Sequence, residues 1–279
     1  IPFLNKAQNQ LMPTPIIAIF GGRSSSSAVS AQNEKTISNL ILFNISSGVC
    51  SSVTFFTNEP SFRYGHAMIA NQQKLYIFGG FNGKTANNEL LIINMFYNRC
   101  TCATITQNNV FSDSWPSARS AHTLTKIESP DENSDKRNKS EKFKAYMFGG
   151  IEDSGKLCGE LWELTCLRGV SPRWKLISQT GPPPRYGHIA YMKNGNFYVA
   201  GGYDASGKPL NDIWMFEPGK RQDEKPRRRT SKKEKQPQKE VKPHNKSPAS
   251  VKTPDVKALF SQSAKGIPTE SKPVELSFS

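Results

Sequence analysis

Residues 185–216 read RYGHIAYMKNGNFYVAGGYDASGKPLNDIWMF. An Arg-x-x-His opening, Arg185 and His188, leads into an apolar run that ends in the glycine pair Gly201–Gly202. A loop and a second apolar run, Ile213–Phe216, follow. The same order recurs upstream. The runs PIIAIFGG, KLYIFGG and KAYMFGG end in Gly21–Gly22, Gly79–Gly80 and Gly149–Gly150, and the opening recurs as Arg63–His66 and Arg119–His122. Sixteen residues separate Arg63 from Gly79 and also Arg185 from Gly201. The second run reads SNLILFN from Ser38, NELLIIN from Asn88 and GELWEL from Gly159 in the earlier copies. Leu75–Phe78, Tyr146–Phe148 and Phe197–Ala200 are too short for helices and continuously apolar, as strands buried on both faces are. Strands recurring with a period of roughly 50 residues predict the blades of a propeller. The paired glycines mark a tight bend or a close backbone approach, because no Cβ is there to clash.

Together these residues resemble the kelch repeat: Arg-Tyr-Gly-His, a strand ending in Gly-Gly, Asn-Asp-Ile-Trp, and a further Trp-bearing strand, over residues 13–217. The resemblance implies four-stranded blades. It makes Gly21, Gly22, Gly79, Gly80, Gly149, Gly150, Gly201 and Gly202 structural, with Arg63, His66, Arg119, His122, Arg185, His188, Trp162, Trp174 and Trp214. The expected fold is all-β, a kelch-type β-propeller of about four recognisable blades whose first and last are incomplete. Blade one shows its later strands at Ile16–Phe20, Leu40–Ile45 and Val53–Phe56, but Asn5 stands sixteen residues before Gly21, with no Arg-x-x-His there. Blade four has no counterpart of WKLI (Trp174–Ile177) after Phe216. A fragment of a larger ring is expected, residues 1–12 being the candidate ring-closing strand and a closed four-bladed ring the alternative.

Successive glycine pairs lie 58, 70 and 52 residues apart. The long interval holds residues 128–142, ESPDENSDKRNKSEK, a charged insertion too poor in apolar groups to order itself. The segment Arg23–Thr36 is serine-rich and reads as a flexible loop. Residues 218–279 read as a disordered basic tail. From residue 217 onward there are 16 Lys plus Arg against 8 Asp plus Glu, a large share of the chain's net +14. Lys225–Lys235, KPRRRTSKKEK, resembles a nuclear-import stretch and would also attract a nucleic acid or an anionic membrane surface without specificity. No aromatics are interleaved there for base stacking. Ser247-Pro248 and Thr253-Pro254 are sites for charge-lowering phosphorylation.

Several features imitate active sites. Gly150-x-x-x-x-Gly155-Lys156 and Gly202-x-x-x-x-Gly207-Lys208 approach a phosphate-binding loop, but Leu157 and Pro209 replace its Ser or Thr and strands flank both. These are hairpin loops with a glycine at the turn. The three signature histidines recur at a structural period, each three residues after an arginine, which argues for architecture over catalysis or metal binding. Cys50, Cys100, Cys102, Cys158 and Cys166 include no Cys-x-x-Cys and read as reduced thiols. Among kelch-like enzymes, iron-dependent specifier proteins carry Glu-x-x-x-Asp-x-x-x-His, which this sequence lacks. No catalytic residue, metal site or cofactor is expected.

The expected function is that of a protein-interaction scaffold or adaptor, gripping a partner through loops after the glycine pairs, with Arg23, Phe81, Tyr203 and Asp204 as exposed contacts. The alternatives are a substrate receptor of a ubiquitin ligase and a nucleic-acid or chromatin-associated protein led by the tail. No transmembrane segment is visible, and cytoplasmic residence, or nuclear residence directed by the tail, is expected.

Overall fold

The computed structural model describes residues 16–23, 40–96, 99–110, 114–127 and 142–218. Within them blade one comprises β1 (Ile16–Phe20), β2 (Leu40–Asn44) and β3 (Cys50–Thr57). Blade two is β4 (Ala67–Asn71), β5 (Lys74–Phe78), β6 (Leu90–Phe96) and β7 (Arg99–Ile105), followed by one helical turn, α1 (Gln107–Val110). Blade three is β8 (Thr123–Ile127), β9 (Phe143–Phe148), β10 (Leu161–Leu167) and β11 (Val170–Ser178). Blade four is β12 (Ile189–Lys193), β13 (Asn196–Ala200) and β14 (Ile213–Phe216). Each blade is an antiparallel meander, and the array is an all-β partial propeller.

Strand periodicity explains why the sequence runs look continuously apolar. Successive side chains of a strand face opposite ways, and each face of an inner blade meets a neighbour. In β5, Leu75 and Ile77 join Phe20, Leu40 and Val53 of blade one, whereas Tyr76 and Phe78 join Ala145, Met147 and Leu164 of blade three. In β9, Tyr146 and Phe148 turn the other way, onto Phe197 and Val199 of blade four. Three apolar clusters thus bond blade to blade in series.

The end blades show the complement. Ile17 and Ile19 on β1 are each 47% exposed on the face turned away from blade two, and Ile189, Tyr191 and Ile213 are exposed on the outer face of blade four. Among the described residues, the same alternation that fills two cores in the middle of the array leaves an apolar face uncovered at each end.

Two details differ from expectation. The strand expected over Leu40–Ile45 ends at Asn44, whose Oδ1 accepts the N–H groups of Ser46 and Ser47 in an Asx turn; Ile45 is 52% exposed. The next strand begins earlier than Val53, at Cys50, once Gly48 has turned the chain with φ +68°. In addition β3 and β7, the outer strands of blades one and two, run parallel through Thr54–Arg99 and Phe55–Cys100, fusing the two blades into one seven-stranded sheet. Residues 1–12, 128–141 and 219–279 lie outside the described residues, and so do the expectations attached to them.

Candidate functional site

The recurring residues form a staple between blades. The guanidinium of Arg63 is fully buried; its Nη1 donates to the Gly79 carbonyl at 3.1 Å and its Nη2 meets Glu89 at 3.0 Å. Arg119 repeats this with the Gly149 carbonyl at 3.2 Å and Glu160 at 3.3 Å. Arg185 does so with the Gly201 carbonyl at 3.0 Å and both oxygens of Asp212, at 2.6 and 3.1 Å. A buried arginine needs a partner for its charge, and the acids heading β6, β10 and β14 supply it. Sequence reasoning passed over these acids, although Asn-Glu-Leu, Gly-Glu-Leu and Asn-Asp-Ile recur at the head of the run.

The main chain of each arginine then reaches the blade before. The N–H groups of Gly22, Gly80 and Gly150 donate to the carbonyls of Arg63, Arg119 and Arg185 at 3.0, 2.9 and 2.8 Å. His66, His122 and His188 lie edge-on to Phe20, Phe78 and Phe148 of the preceding blade, with centroids 5.4–5.7 Å apart. Thr123 of blade three also meets His188 Nε2 at 2.9 Å. Burial, then the neighbouring arginines, holds His66 and His188 at about 4 and His122 well below the usual imidazole value. Imidazoles so depressed stay neutral near neutral pH, with their rings packed against the preceding blade.

Two of the three signature tryptophans are core residues, and Trp214 is part-buried against the cluster around Phe148 and Phe197. Trp162 and Trp174 are buried, and Trp214 donates its Nε1–H to Asp212 at 2.7 Å, steadying the carboxylate that holds Arg185. Trp115, absent from the expected set, is buried as well and donates to the Asn88 carbonyl at 2.7 Å. Cys100, Cys102, Cys158 and Cys166 are buried free thiols whose pKa values burial pushes up to about 11 or 12, and Cys50 is free and exposed. Among the described residues no group of three or more His, Cys, Asp or Glu is placed to hold a metal ion.

After the glycine pairs of blades two, three and four the chain forms a short hairpin on one side of the propeller. Phe81 pairs with Ala86, Ile151 with Leu157 and Tyr203 with Pro209. Asn82 Oδ1 takes the N–H groups of Lys84 and Thr85; Asp204 Oδ1 takes those of Ser206 and Lys208. Asp204 thus shapes its own turn; the Ser206 hydroxyl, donating to Oδ1 at 2.6 Å, and then these N–H groups lower its carboxyl pKa. Asp153 Oδ1 reaches across to the Ala86 N–H at 2.7 Å, tying the hairpin of blade three to that of blade two.

The expected contacts separate here. Phe81 is not exposed: at 2% it lies edge-on to Tyr64, inside a cluster with Ala86, Ile151 and Tyr186. Neighbouring hairpins cover that position, so Phe81 belongs to the core of the rim. Tyr203, its counterpart in blade four, is 43% exposed and stacks on Tyr186 with centroids 5.5 Å apart. Arg23, the counterpart in blade one, is half-buried with its guanidinium 5.9 Å over the Tyr64 ring. Each of these three hairpins also presents an exposed lysine directly after its turn glycine: Lys84, Lys156 and Lys208. The sequence displays this recurrence in the two phosphate-loop look-alikes, as the lysine that follows each turn glycine.

No protein-family model matches the chain. It is similar to Tip elongation aberrant protein 1 of Schizosaccharomyces pombe, 27% identical over 212 residues that make up 72% of this chain and 16% of that protein. It is also similar to Kelch domain-containing protein 3 of Bos taurus, 22% identical over 229 residues, 78% of this chain and 53% of that one. An F-box/kelch-repeat protein of Arabidopsis thaliana is 26% identical over 165 residues, 58% of this chain and 32% of its own. The chain therefore spans from about a sixth to about half of these relatives. Among the described residues no helix is long and apolar enough to cross a membrane.

Proposed function

We propose that this chain is a protein-interaction scaffold that binds an acidic partner segment across the hairpin side of its propeller, with an apolar or aromatic anchor on Tyr203. One observation carries the reading: structurally equivalent hairpins of three successive blades each expose a Gly-Lys tip, beside a half-exposed tyrosine whose ring is fixed by stacking. Glu152, Asp153 and Asp204 lie in the same hairpins and Lys156 Nζ stands 3.7 Å from Glu152, so the positive charge is local to the tips, Lys84 above all, and does not extend over that side. Their backbones are held by turn-internal hydrogen bonds and by the Asp153–Ala86 tie, so little ordering accompanies binding. Tyrosine, with its large ring and few torsions, suits an anchor. The similarity to kelch-domain proteins supports an interaction role in general; the acidic partner is inferred from these lysines alone.

The test compares the wild-type chain with Tyr203→Ala and with Lys84→Glu/Lys156→Glu/Lys208→Glu. The expected result is an unchanged melting temperature together with loss of the partners that the wild type captures, identified by quantitative mass spectrometry. The interactions retained by the wild type should weaken as salt rises. A folded variant that captures the same partners in the same amounts removes this surface from consideration.

A further inference from the structure

Among the described residues, β14 is bonded to β13 on one side and borders no strand on the other, whereas its counterparts β2, β6 and β10 each carry a fourth strand. Beside that edge, between blades three and four, lies a cleft of about 420 Å³ counted with its open mouth, walled by Phe148, Leu161, Phe197, Val199, Trp214 and Phe216. The matching space between blades two and three is filled by two indoles. Trp174 of β11 packs on Phe78 with centroids 4.9 Å apart, and Trp115 lies 6.3 Å from Trp174. Phe148 occupies the position of Phe78, and Trp214 that of Trp162. Four residues before the signature arginine, however, Gly181 stands where Trp115 stands. The cleft exists because one indole is a glycine and the strand that would carry the other is not among β12, β13 and β14. A free strand edge beside an apolar slot accepts an extended segment with large alternate side chains.

We propose that residues 273–279, PVELSFS, add to the free edge of β14 as the fourth strand of blade four and seat Leu276 and Phe278 in this cleft. The described fourth strands share an apolar–polar–apolar alternation: Val53-Thr54-Phe55, Cys100-Thr101-Cys102 and Trp174-Lys175-Leu176. Their apolar members are the ones that pack into the inter-blade clusters. Val274-Glu275-Leu276-Ser277-Phe278 continues that alternation through three apolar positions, with a proline ahead of it. The other apolar stretch beyond residue 218, Val256–Phe260, breaks the pattern at Leu259. The intervening residues 219–272 act as a tether whose coil spans about 40 Å, ample to return to the edge, and closure cost grows only slowly with tether length. Docking covers an edge that otherwise invites strand pairing between molecules. It also turns the basic stretch Lys225–Lys235 into part of a loop anchored at both ends.

Hydrogen exchange of the full chain tests the proposal. Removing residues 273–279, or introducing Leu276→Glu/Phe278→Glu, is expected to speed exchange of the Ile213–Phe216 amides at least tenfold and leave β5 and β9 unchanged. A synthetic PVELSFS peptide added at millimolar concentration to the truncated chain restores the protection. Unchanged β14 exchange in both variants overturns the proposal. So does protection that disappears on removing residues 1–12 instead, which would make the N-terminal segment the occupant. Protection that rises with protein concentration alongside a dimer in light scattering also overturns it, in favour of a second copy.

Discussion

Gly149→Ala and Gly201→Ala form a matched pair that isolates what one blade does for the next. Both glycines have left-handed backbone, φ +69° and +65°, so an alanine costs roughly 1–2 kcal/mol at either site for conformation alone. Their surroundings differ. A Cβ on Gly149 would lie 2.5 Å from His188 Cε1 and 2.6 Å from the Arg185 carbonyl oxygen, both belonging to the next blade. A Cβ on Gly201 would meet only the Leu210 carbonyl oxygen, at 3.6 Å. Since the carbonyl of Arg185 is also bonded to the Gly150 N–H, it cannot withdraw without breaking the staple. Overpacking of this kind adds about 1–3 kcal/mol. The expected losses are therefore about 2–5 kcal/mol for Gly149→Ala and about 1–2 kcal/mol for Gly201→Ala. At about 2–4 °C per kcal/mol in a domain of this size, thermal melts followed by circular dichroism and tryptophan emission separate the two. Equal and large losses would refute the reasoning, because Gly201 would then be wedged as tightly as Gly149. Equal and small losses would refute it the other way, by showing that the blade contact yields.

Two further outcomes follow from the staple. The folded pKa of about 4 at His66 and His188 lies below the unfolded 6.5, so their contribution to stability is complete above 6.5 and is lost as pH falls toward 4; urea midpoints should drop across that window, and His188→Gln should flatten the slope by roughly one proton. Asp212→Asn leaves the fully buried Arg185 without its anion and should cost about 3–5 kcal/mol, whereas Glu89→Gln should cost less, because Glu89 is 34% exposed and water screens the loss.

The repeat was legible because burial on two faces leaves a one-dimensional record: short apolar runs closed by glycines. The arginine–acid pairs were half legible. Arg63 and Asp212's partner Arg185 lie 26 and 27 residues from their acids, but Arg119 lies 41 from Glu160, because the insertion after β8 lengthens the chain without moving the strands. Burial of the residue after each glycine pair was not legible at all. Phe81 and Ile151 are covered by neighbouring hairpins, while Tyr203 at the end of the array is open. Exposure there depends on whether another blade stands alongside, which no local pattern encodes. The parallel junction of β3 with β7 escaped for a related reason: it pairs outer strands of different repeats, so no repeat contains it.

Because each blade touches only its neighbours, stability is distributed as a chain of interfaces. Blades two and three are each held on both sides, and the Asp153–Ala86 tie binds their hairpins to one another. Blade four is held among the described residues on one side only, through the cluster around Phe148, Leu161 and Phe197, the Arg185 and His188 contacts, and Tyr186 in the rim cluster. Yet blade four carries Tyr203, the most open aromatic of the rim. A partner that touches both Lys156 and Tyr203 would therefore bridge the firm part of the array and its looser end, adding to blade four an interface of the kind that the inner blades already have. A strand added at β14 would stabilise the same blade from its outer edge. Any ligand that binds only the ordered blade stabilises it by mass action, so the two events reinforce each other without sharing a single contact. Rim binding and edge completion are then linked through the stability of one blade, and substitutions at Tyr203 and at Phe278 address them separately.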